Sequence, residues 1–174
     1  MIHIVLYQPE IPQNTGNIIR TAMAINATLH LIKPLGFSLE EKSLKRAGMD
    51  YINDVNLEVY ESVEEFYTKN EDADIYYVTR YASKPHSAFD FKRVTKDYYF
   101  MFGKESSGIP HDLLRGHKDR LMRIPMSINA RSLNLSNSVA IVVYEVCRQQ
   151  NFYGLSTFEA IKGEDFLDNE IMDS

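Results

Sequence analysis

Apolar and polar positions along the chain follow two patterns, short continuous apolar runs and longer segments with helical spacing. The runs are rich in β-branched and aromatic residues, which is typical of strands buried on both faces of a sheet. They predict strands at Ile2–Tyr7, Thr28–Ile32, Leu57–Tyr60, Ile75–Thr79, Tyr98–Gly103 and Leu121–Ile124. Because helical segments lie between these strands, the chain is predicted to form one α/β domain with a largely parallel sheet flanked by helices.

Five segments carry helical spacing or helix-end signals. The predicted helices are Thr15–Ala27, Leu39–Arg46, a helix capped by Ser62 and Glu65 that runs to about Asn70, Pro110–Gly116 and Asn137–Gln150. Thr15 can cap the first helix, and Ser136 or Asn137 the last. The apolar faces of these two helices are Ile18, Ala22 and Ile25 in the first, and Leu135, Val139, Val142 and Val146 in the last. Both faces are predicted to pack against the sheet.

Composition narrows the class of protein. The chain has 174 residues, 44% of them hydrophobic and 25% charged, which argues against long disordered or repetitive segments. The single cysteine, Cys147, excludes an intrachain disulfide and fits a reducing cytoplasm. No run of eighteen apolar residues and no signal-peptide pattern occurs, so we expect a cytoplasmic protein outside the membrane. The five histidines and Cys147 lack metal-ligand spacing, so we expect no metal site.

Charge is distributed unevenly along the chain. The net charge is −5, and the last twelve residues hold five acidic residues but no lysine or arginine. Without them the chain has 19 basic and 19 acidic residues, so any nucleic-acid binding has to rest on a local basic patch. We therefore predict one domain over residues 1–160 and an acidic, frayed tail over residues 161–174.

Three polar segments follow predicted strands, at Gln8–Arg20, Gly103–Pro110 and Pro125–Ser138. Ligands of open parallel sheets bind beyond the carboxyl ends of the strands, which makes these segments the candidate site. The second has the glycine spacing of a P-loop, but Ile109 and Pro110 stand where lysine and Ser/Thr are required. The third is rich in serine and asparagine, whose side chains donate and accept hydrogen bonds.

Each of these segments, taken alone, also has a purely structural explanation. Gly103 and Gly108 are compatible with a simple strand-to-helix turn, and Ser136 and Asn137 with helix capping. Arg20 is compatible with a surface arginine whose stem is buried, or with a binding residue for a phosphate or carboxylate. The residues leave these alternatives open.

Together the three segments resemble the SPOUT superfamily of RNA methyltransferases. The resemblance is carried, in order, by EIPQNTGNIIR (Glu10–Arg20), FGKESSGIP (Phe102–Pro110) and IPMSINARSLNLSNSVAIVVYE (Ile124–Glu145). It runs from Ile2 to about Gly154 and is closest to the minimal enzymes that methylate the ribose 2′-hydroxyl of the tRNA wobble nucleotide, cytidine or uridine 34. It departs at Thr79–Ala82 (TRYA), where relatives commonly have Thr-Lys-Gly, in the loop next to the substrate.

The resemblance implies a fold and a cofactor. The fold is a parallel α/β domain whose C-terminal part forms a trefoil knot, a feature that no sequence pattern reveals. The cofactor is S-adenosylmethionine, without a metal, and its contacts carry over to Val78, Gly103, Ile124, Ser132 and Leu133. Since glycine allows close backbone approach, we expect Gly103 to let the ligand come near the main chain.

The resemblance also implies catalytic residues. Arg20 matches the arginine to which the family assigns proton removal from the 2′-hydroxyl. A guanidinium with a pKa above ~12 is a poor base, so Arg20 can instead hold the adjacent phosphate and polarise the hydroxyl. Asn14, Glu105 and Ser136 are expected to position Arg20 and the ribose.

Assembly and substrate follow from the same resemblance. We expect a homodimer that binds the tRNA anticodon stem-loop, with Arg20 of one chain facing the cofactor of the other. The Ile18–Met23 and Val139–Val146 stripes are expected to serve both core and interface. Two alternatives stay open, methylation of another tRNA or rRNA position and a non-catalytic RNA-binding module of the same fold.

Overall fold

A computed structural model describes residues 1–46 and 48–170 and places six parallel strands in one sheet. The strands are β1 (Ile2–Tyr7), β2 (Thr28–Ile32), β3 (Asn56–Tyr60), β4 (Ile75–Val78), β5 (Tyr98–Phe102) and β6 (Leu121–Met122). Their order across the sheet is β3-β2-β1-β5-β4-β6. The predicted α/β architecture is confirmed, and only the last strand is clearly shorter than predicted.

Six helices and three 3-10 turns lie between the strands and after the last one. The helices are α1 (Pro12–Ala24), α2 (Glu41–Arg46), α3 (Val63–Lys69), α4 (His111–Arg115), α5 (Leu135–Gln149) and α6 (Phe166–Glu170) within the described residues. The 3-10 turns are Asp50–Asn53, His86–Ala88 and Lys118–Arg120. Ser62 caps α3 as predicted, since its hydroxyl oxygen accepts the Glu65 N–H at 3.1 Å.

The two long helices begin earlier than predicted. Helix α1 starts at Pro12, because proline fixes a helical φ and lacks the N–H that a first-turn residue would leave unpaired. Thr15 therefore lies inside the helix and is fully buried, so its predicted capping role is wrong. Helix α5 is capped by Asn134 rather than by Ser136 or Asn137, whose N–H groups Asn134 Oδ1 accepts at 2.9 and 3.3 Å.

The two faces of the sheet have different partners. One face packs against α1 and α5 through aliphatic side chains and Phe100, and the other against α3 and α4 through Tyr60, Tyr77 and Met101. The predicted apolar faces of α1 and α5 are confirmed as core. However, Ile18, Ile19, Ala22, Val139, Val143 and Val146 are all buried within the single chain. These six residues are therefore not available to a subunit interface, whereas Met23, the last residue of the α1 stripe, is 36% exposed and stays a predicted interface residue.

The segment Tyr81–Lys96, which runs from β4 toward β5, is partly anchored in the core. Phe91 is 1% exposed, and its ring meets those of Tyr76 and Phe100 edge-to-face. The Phe91 N–H donates to Gln149 Oε1 of α5 at 2.8 Å. This anchoring fixes the segment that follows β4.

The last described helix lies near the C-terminal end of the chain. Helix α6 lies in the segment predicted to be an acidic tail, and residues 171–174, with Asp173, lie outside the described residues. Over residues 1–46 and 48–170, no helix combines the length and the apolarity that crossing a membrane requires.

Candidate active site at the carboxyl ends of the strands

A cavity of about 590 Å³ opens beyond the carboxyl ends of β4 and β5. Its volume lies within the usual range of small-molecule sites, roughly 300–1,000 Å³. It is lined by the segments that follow β4, β5 and β6 and by the start of α1. Seven of the predicted site residues line it: Asn14, Val78, Gly103, Glu105, Ile124, Ser132 and Leu133.

Glu105 joins the loop after β5 to the start of α1. Its carboxylate accepts the N–H groups of Glu10 and Ile11 at 2.8 and 3.0 Å and the side-chain amide of Asn14 at 3.2 Å. Ile11, the N-cap residue, has no side-chain oxygen, and the Glu105 carboxylate, 94 positions further along the chain, lies at the start of the helix. The helix dipole favours a negative charge there.

Residues of the loop after β5 also donate hydrogen bonds to the segment before α1. The Glu10 carboxylate accepts the N–H and the hydroxyl of Ser106 at 2.9 and 2.8 Å. These bonds hold the pKa of Glu10 below its usual range. Lys104 Nζ also donates to Gln8 Oε1 at 3.1 Å. The loops after β1 and β5 therefore form one hydrogen-bonded unit.

Asn134 links this unit to α5, although sequence reasoning missed it as a site residue. Its Nδ2 donates to Asn14 Oδ1 at 3.0 Å, and its Oδ1 accepts the Ser136 hydroxyl at 2.6 Å. Ser136 is not among the described residues that line the cavity, and its hydroxyl contacts Asn134 instead. We call Glu105, Asn14, Asn134 and Ser136 the site network. An asparagine just before a periodic apolar run is the sequence signal that could have identified this cap.

Gly103 is required by the loop itself. A Cβ on Gly103 would overlap the backbone of Gly108 and Ile109, which fold back over it. Gly108 has a φ of +71°, and its N–H donates to Lys104 O at 2.9 Å. The loop's own main chain fills the space of a Cβ, so the loop itself requires glycine here, and the close approach of a ligand to Gly103 stays a prediction.

Arg20 lies apart from the other predicted catalytic residues of its chain. It is exposed and six positions beyond Asn14 on α1, roughly 9 Å along the helix axis. Its guanidinium lies 5.6 Å from the centre of the Tyr51 ring. Arg20 is not among the described residues that line the cavity, so one chain alone does not bring it to Glu105 or Ser136.

The cavity combines apolar walls with a basic mouth. Its apolar side chains include Val78, Phe102, Ile109, Ile124, Leu133 and Leu135. Arg80, Lys104 and Arg131 also line it, whereas Glu105 is the one carboxylate among its described lining residues. This is the local basic patch that RNA binding by a neutral domain requires. Over the described residues, no group of three or more His, Cys, Asp or Glu side chains is placed to hold a metal ion.

Comparison with known families and proteins gives consistent matches. The sequence profile of the SpoU rRNA Methylase family matches residues 1–144. A protein of Geobacillus stearothermophilus, provisionally named a tRNA (cytidine(34)-2′-O)-methyltransferase, is 51% identical over 155 residues. The aligned region covers 89% of this chain and 99% of that protein.

Solved structures of RNA methyltransferases have the same fold. One, which concerns the 2-OH methylation of C/U34 on tRNA, superposes with a TM-score of 0.78 at 40% identity. It covers 87% of this chain and 97% of that one. An AdoMet-bound rRNA methyltransferase from Sinorhizobium meliloti superposes with a TM-score of 0.72 at 27% identity. That match covers 84% of this chain and 56% of the other.

Proposed function

The chain belongs to the SpoU rRNA Methylase family, and on that premise we propose that it methylates the ribose 2′-hydroxyl of the tRNA wobble nucleotide, cytidine or uridine 34. The observation that carries this proposal is the site network, which joins three separate motifs of the chain at one cavity. The similarity to wobble-nucleotide methyltransferases over nearly their whole length supports the choice of substrate.

The cavity fits S-adenosylmethionine, which we propose as the methyl donor. Its apolar walls, Val78, Ile124 and Leu133, lie beside the exposed backbone of the loop that begins at Gly103. Such a site binds a planar base between apolar side chains and recognises its edge through main-chain amides and carbonyls. Ser132 adds a hydroxyl at the same wall. When bound, the cofactor supplies a methyl group on a sulfonium, which is already a good leaving group.

The protein has to orient the 2′-hydroxyl, a poor nucleophile, and to help remove its proton. We propose that Asn14 and Glu105 fix the start of α1 and the loop that faces the ribose. Arg20 would hold the adjacent phosphate and polarise the hydroxyl, with the proton leaving to that phosphate or to water. Its position away from the cavity of its own chain supports a role at the site of a second chain.

A homodimer of about 40 kDa, twice the 20.1 kDa chain, would provide that second chain. Because most residues of the predicted stripes are buried, the interface has to use Met23, the exposed end of the α1 stripe, together with exposed residues outside the stripes. Met23, Ile141 and Tyr144 are large apolar side chains exposed on α1 and α5, and Phe152 and Tyr153 lie just beyond α5. We propose that they form the interface and that both chains contact the anticodon stem-loop.

We propose that the C-terminal part of the chain forms a trefoil knot. Arg123, just after β6, donates its N–H to Lys84 O at 3.0 Å and accepts the His86 N–H at 2.8 Å. The segment that follows then lines the same cavity as the loop after β5. These contacts hold the chain after β6 against both loops that a knot would involve.

Mass spectrometry of tRNA nucleosides from a strain lacking the gene tests the function. We expect 2′-O-methylation of nucleotide 34 to disappear, to return with the wild-type gene and to stay absent with Arg20→Ala. The variant should still bind S-adenosylmethionine in calorimetry. Loss of methylation at another position would identify a different substrate, and a wild-type protein that gives no heat with the cofactor would identify a non-catalytic RNA-binding module.

A mixing experiment tests whether Arg20 acts across the dimer. Arg20→Ala chains are combined with Ser132→Trp chains, in which the cofactor wall is blocked. If Arg20 acts on the partner's site, mixed dimers contain one intact site and regain activity. If it acts within its own chain, the mixture stays inactive. Light scattering that finds a fully active monomer would contradict the dimer itself.

A further inference from the structure

Tyr81 presents an aromatic ring at the rim of the cavity. It is 62% exposed although it lines the cavity. Its main chain is held in a turn, since Thr79 accepts the N–H of Tyr81 on Oγ1 at 3.3 Å and that of Ala82 on its carbonyl at 3.4 Å. Ala82 is buried and anchors the turn. The ring is therefore exposed on a fixed backbone.

Neighbouring side chains support the ring without covering it. The His111 ring meets it edge-to-face with centroids 5.1 Å apart, and the Arg80 guanidinium lies 5.6 Å from its centre. Both contacts restrict the orientation of the ring. Most of its surface is left to solvent at the cavity mouth.

The charges around the ring match a nucleic acid. Arg80, Lys104 and Arg131 line the cavity with Tyr81, whereas the Glu105 carboxylate is engaged by three hydrogen-bond donors. Exposed aromatic rings beside cationic groups recognise single-stranded nucleic acid, because the rings stack on unpaired bases and the cations meet the phosphates. Tyr81 therefore lies beside the cavity that the ribose of a loop nucleotide has to enter.

We propose that Tyr81 is the platform on which the base of the target nucleotide stacks, and this rests on the proposed function. The ring sets specificity for an unpaired base, since a base in a duplex cannot reach it. Stacking uses the face of the base rather than its hydrogen-bonding edge, so a tyrosine platform accepts cytidine and uridine alike.

The test combines Tyr81 variants with a substrate that lacks the base. One anticodon stem-loop carries the normal wobble nucleotide, and a second carries a ribose without a base at that position. We expect Tyr81→Ala to lower kcat/KM on the normal substrate by about tenfold or more. Tyr81→Phe keeps the ring and should stay close to wild type. The baseless substrate should lower the wild-type rate by a similar factor, and Tyr81→Ala should then have little further effect.

A binding experiment gives a second readout without turnover. A stem-loop with 2-aminopurine at the wobble position should lose fluorescence on binding to the wild type and to Tyr81→Phe, but not to Tyr81→Ala. S-adenosylmethionine affinity should be equal in all three proteins. An equal loss of activity by Tyr81→Ala on both substrates, or weaker cofactor binding, would overturn the proposal, because the ring would then serve the cofactor or the loop.

The same data separate this inference from the proposed function. A wild-type enzyme that leaves the wobble ribose unmethylated refutes the proposed function and this inference with it. An active wild type whose Tyr81→Ala variant matches Tyr81→Phe refutes only the inference.

Discussion

Two networks of hydrogen-bonded side chains lie in this domain, and their surroundings differ. The site network joins the loop after β5, the start of α1 and the start of α5, and it reaches the cavity through Asn14, Glu105 and Asn134. The other network, which we call the sheet network, consists of His3, His30, Tyr60 and Glu58.

The sheet network lies across three neighbouring strands on the face that α3 covers. His3 Nδ1 and His30 Nε2 lie 2.9 Å apart, and His30 Nδ1 lies 2.9 Å from the Tyr60 hydroxyl. That hydroxyl donates to the Glu58 carboxylate at 2.6 Å. The Phe66 ring of α3 packs edge-on against His30, which is 1% exposed.

The contrast shows that polarity alone does not identify a functional site. Both networks hold titratable or amide groups in partly buried positions, but only one opens onto a cavity beyond the carboxyl ends of the strands. Changes in the site network should therefore alter reaction rates more than stability. Changes in the sheet network should alter stability and its pH dependence, and leave the chemistry intact.

The largest effect is expected for Glu105→Ala. The substitution leaves the N–H groups of Glu10 and Ile11 and the Asn14 amide without their acceptor, and it separates the loop after β5 from α1. Because a misplacement of about 1 Å can lower a rate about 100-fold, we expect kcat/KM for the stem-loop to fall by at least about that factor. Steady-state kinetics measures it.

Glu58→Gln is the matched control from the sheet network. It also removes a carboxylate that accepts a hydrogen bond, but Glu58 is exposed and lies on the other network. Its kcat/KM should equal that of the wild type. Equal losses in Glu105→Ala and Glu58→Gln would erase the distinction between the networks.

The next effect concerns pH and the free energy of unfolding. Burial, followed by the neighbouring His3, lowers the pKa of His30 from 6.5 to about 4. Between these values the unfolded chain binds the proton that the folded chain excludes, so stability is full above pH 6.5 and falls as the pH drops toward 4. From pH 7 to pH 5 the contribution of His30 should decrease by about 2 kcal/mol. Urea unfolding at several pH values measures it.

Several titratable groups face His30, so the control for this prediction has to remove His30 and leave those groups in place. His3 of β1 and Tyr60 and Glu58 of β3 lie within 4.0 Å of its ring nitrogens, and the Tyr99 ring of β5 is 5.5 Å away. His30→Leu removes the titrating group, so its stability should vary less between pH 7 and pH 5, although it starts from a lower value. A wild-type stability that is flat over this interval would contradict the prediction.

The fold was predictable where the evidence was local. The strands β1 and β2 have the predicted bounds, because a continuous apolar run between polar residues marks both ends of a buried strand. Helix starts were less predictable. Ser136, Asn137 and Asn134 are all good capping residues within four positions, and only the path of the chain selects Asn134.

The site was predictable as a set of motifs but not as a geometry. The resemblance indicated Asn14 and Glu105, yet their bond joins residues 91 positions apart, and no spacing rule reports such a contact. The close contact of Gly103 with Gly108 and Ile109 was not predictable, because the loop that folds over Gly103 is formed by residues that carry no periodic signal. Arg20 is placed on α1 by helical spacing, but its proposed target is on another chain.

The smallest effect is expected at Asn134, which serves both as helix cap and as a member of the site network. Asn134→Ser keeps a capping oxygen for α5 but loses the amide that donates to Asn14 Oδ1. Asn134→Ala loses both. We expect Asn134→Ala to lower the free energy of unfolding by about 1 kcal/mol and Asn134→Ser by clearly less, because serine caps helices nearly as well as asparagine. Both should lower kcat/KM alike, since both remove the amide that donates to Asn14 Oδ1. If Asn134→Ser kept wild-type activity, the link to Asn14 would be structural only, and the site network would end at Asn14.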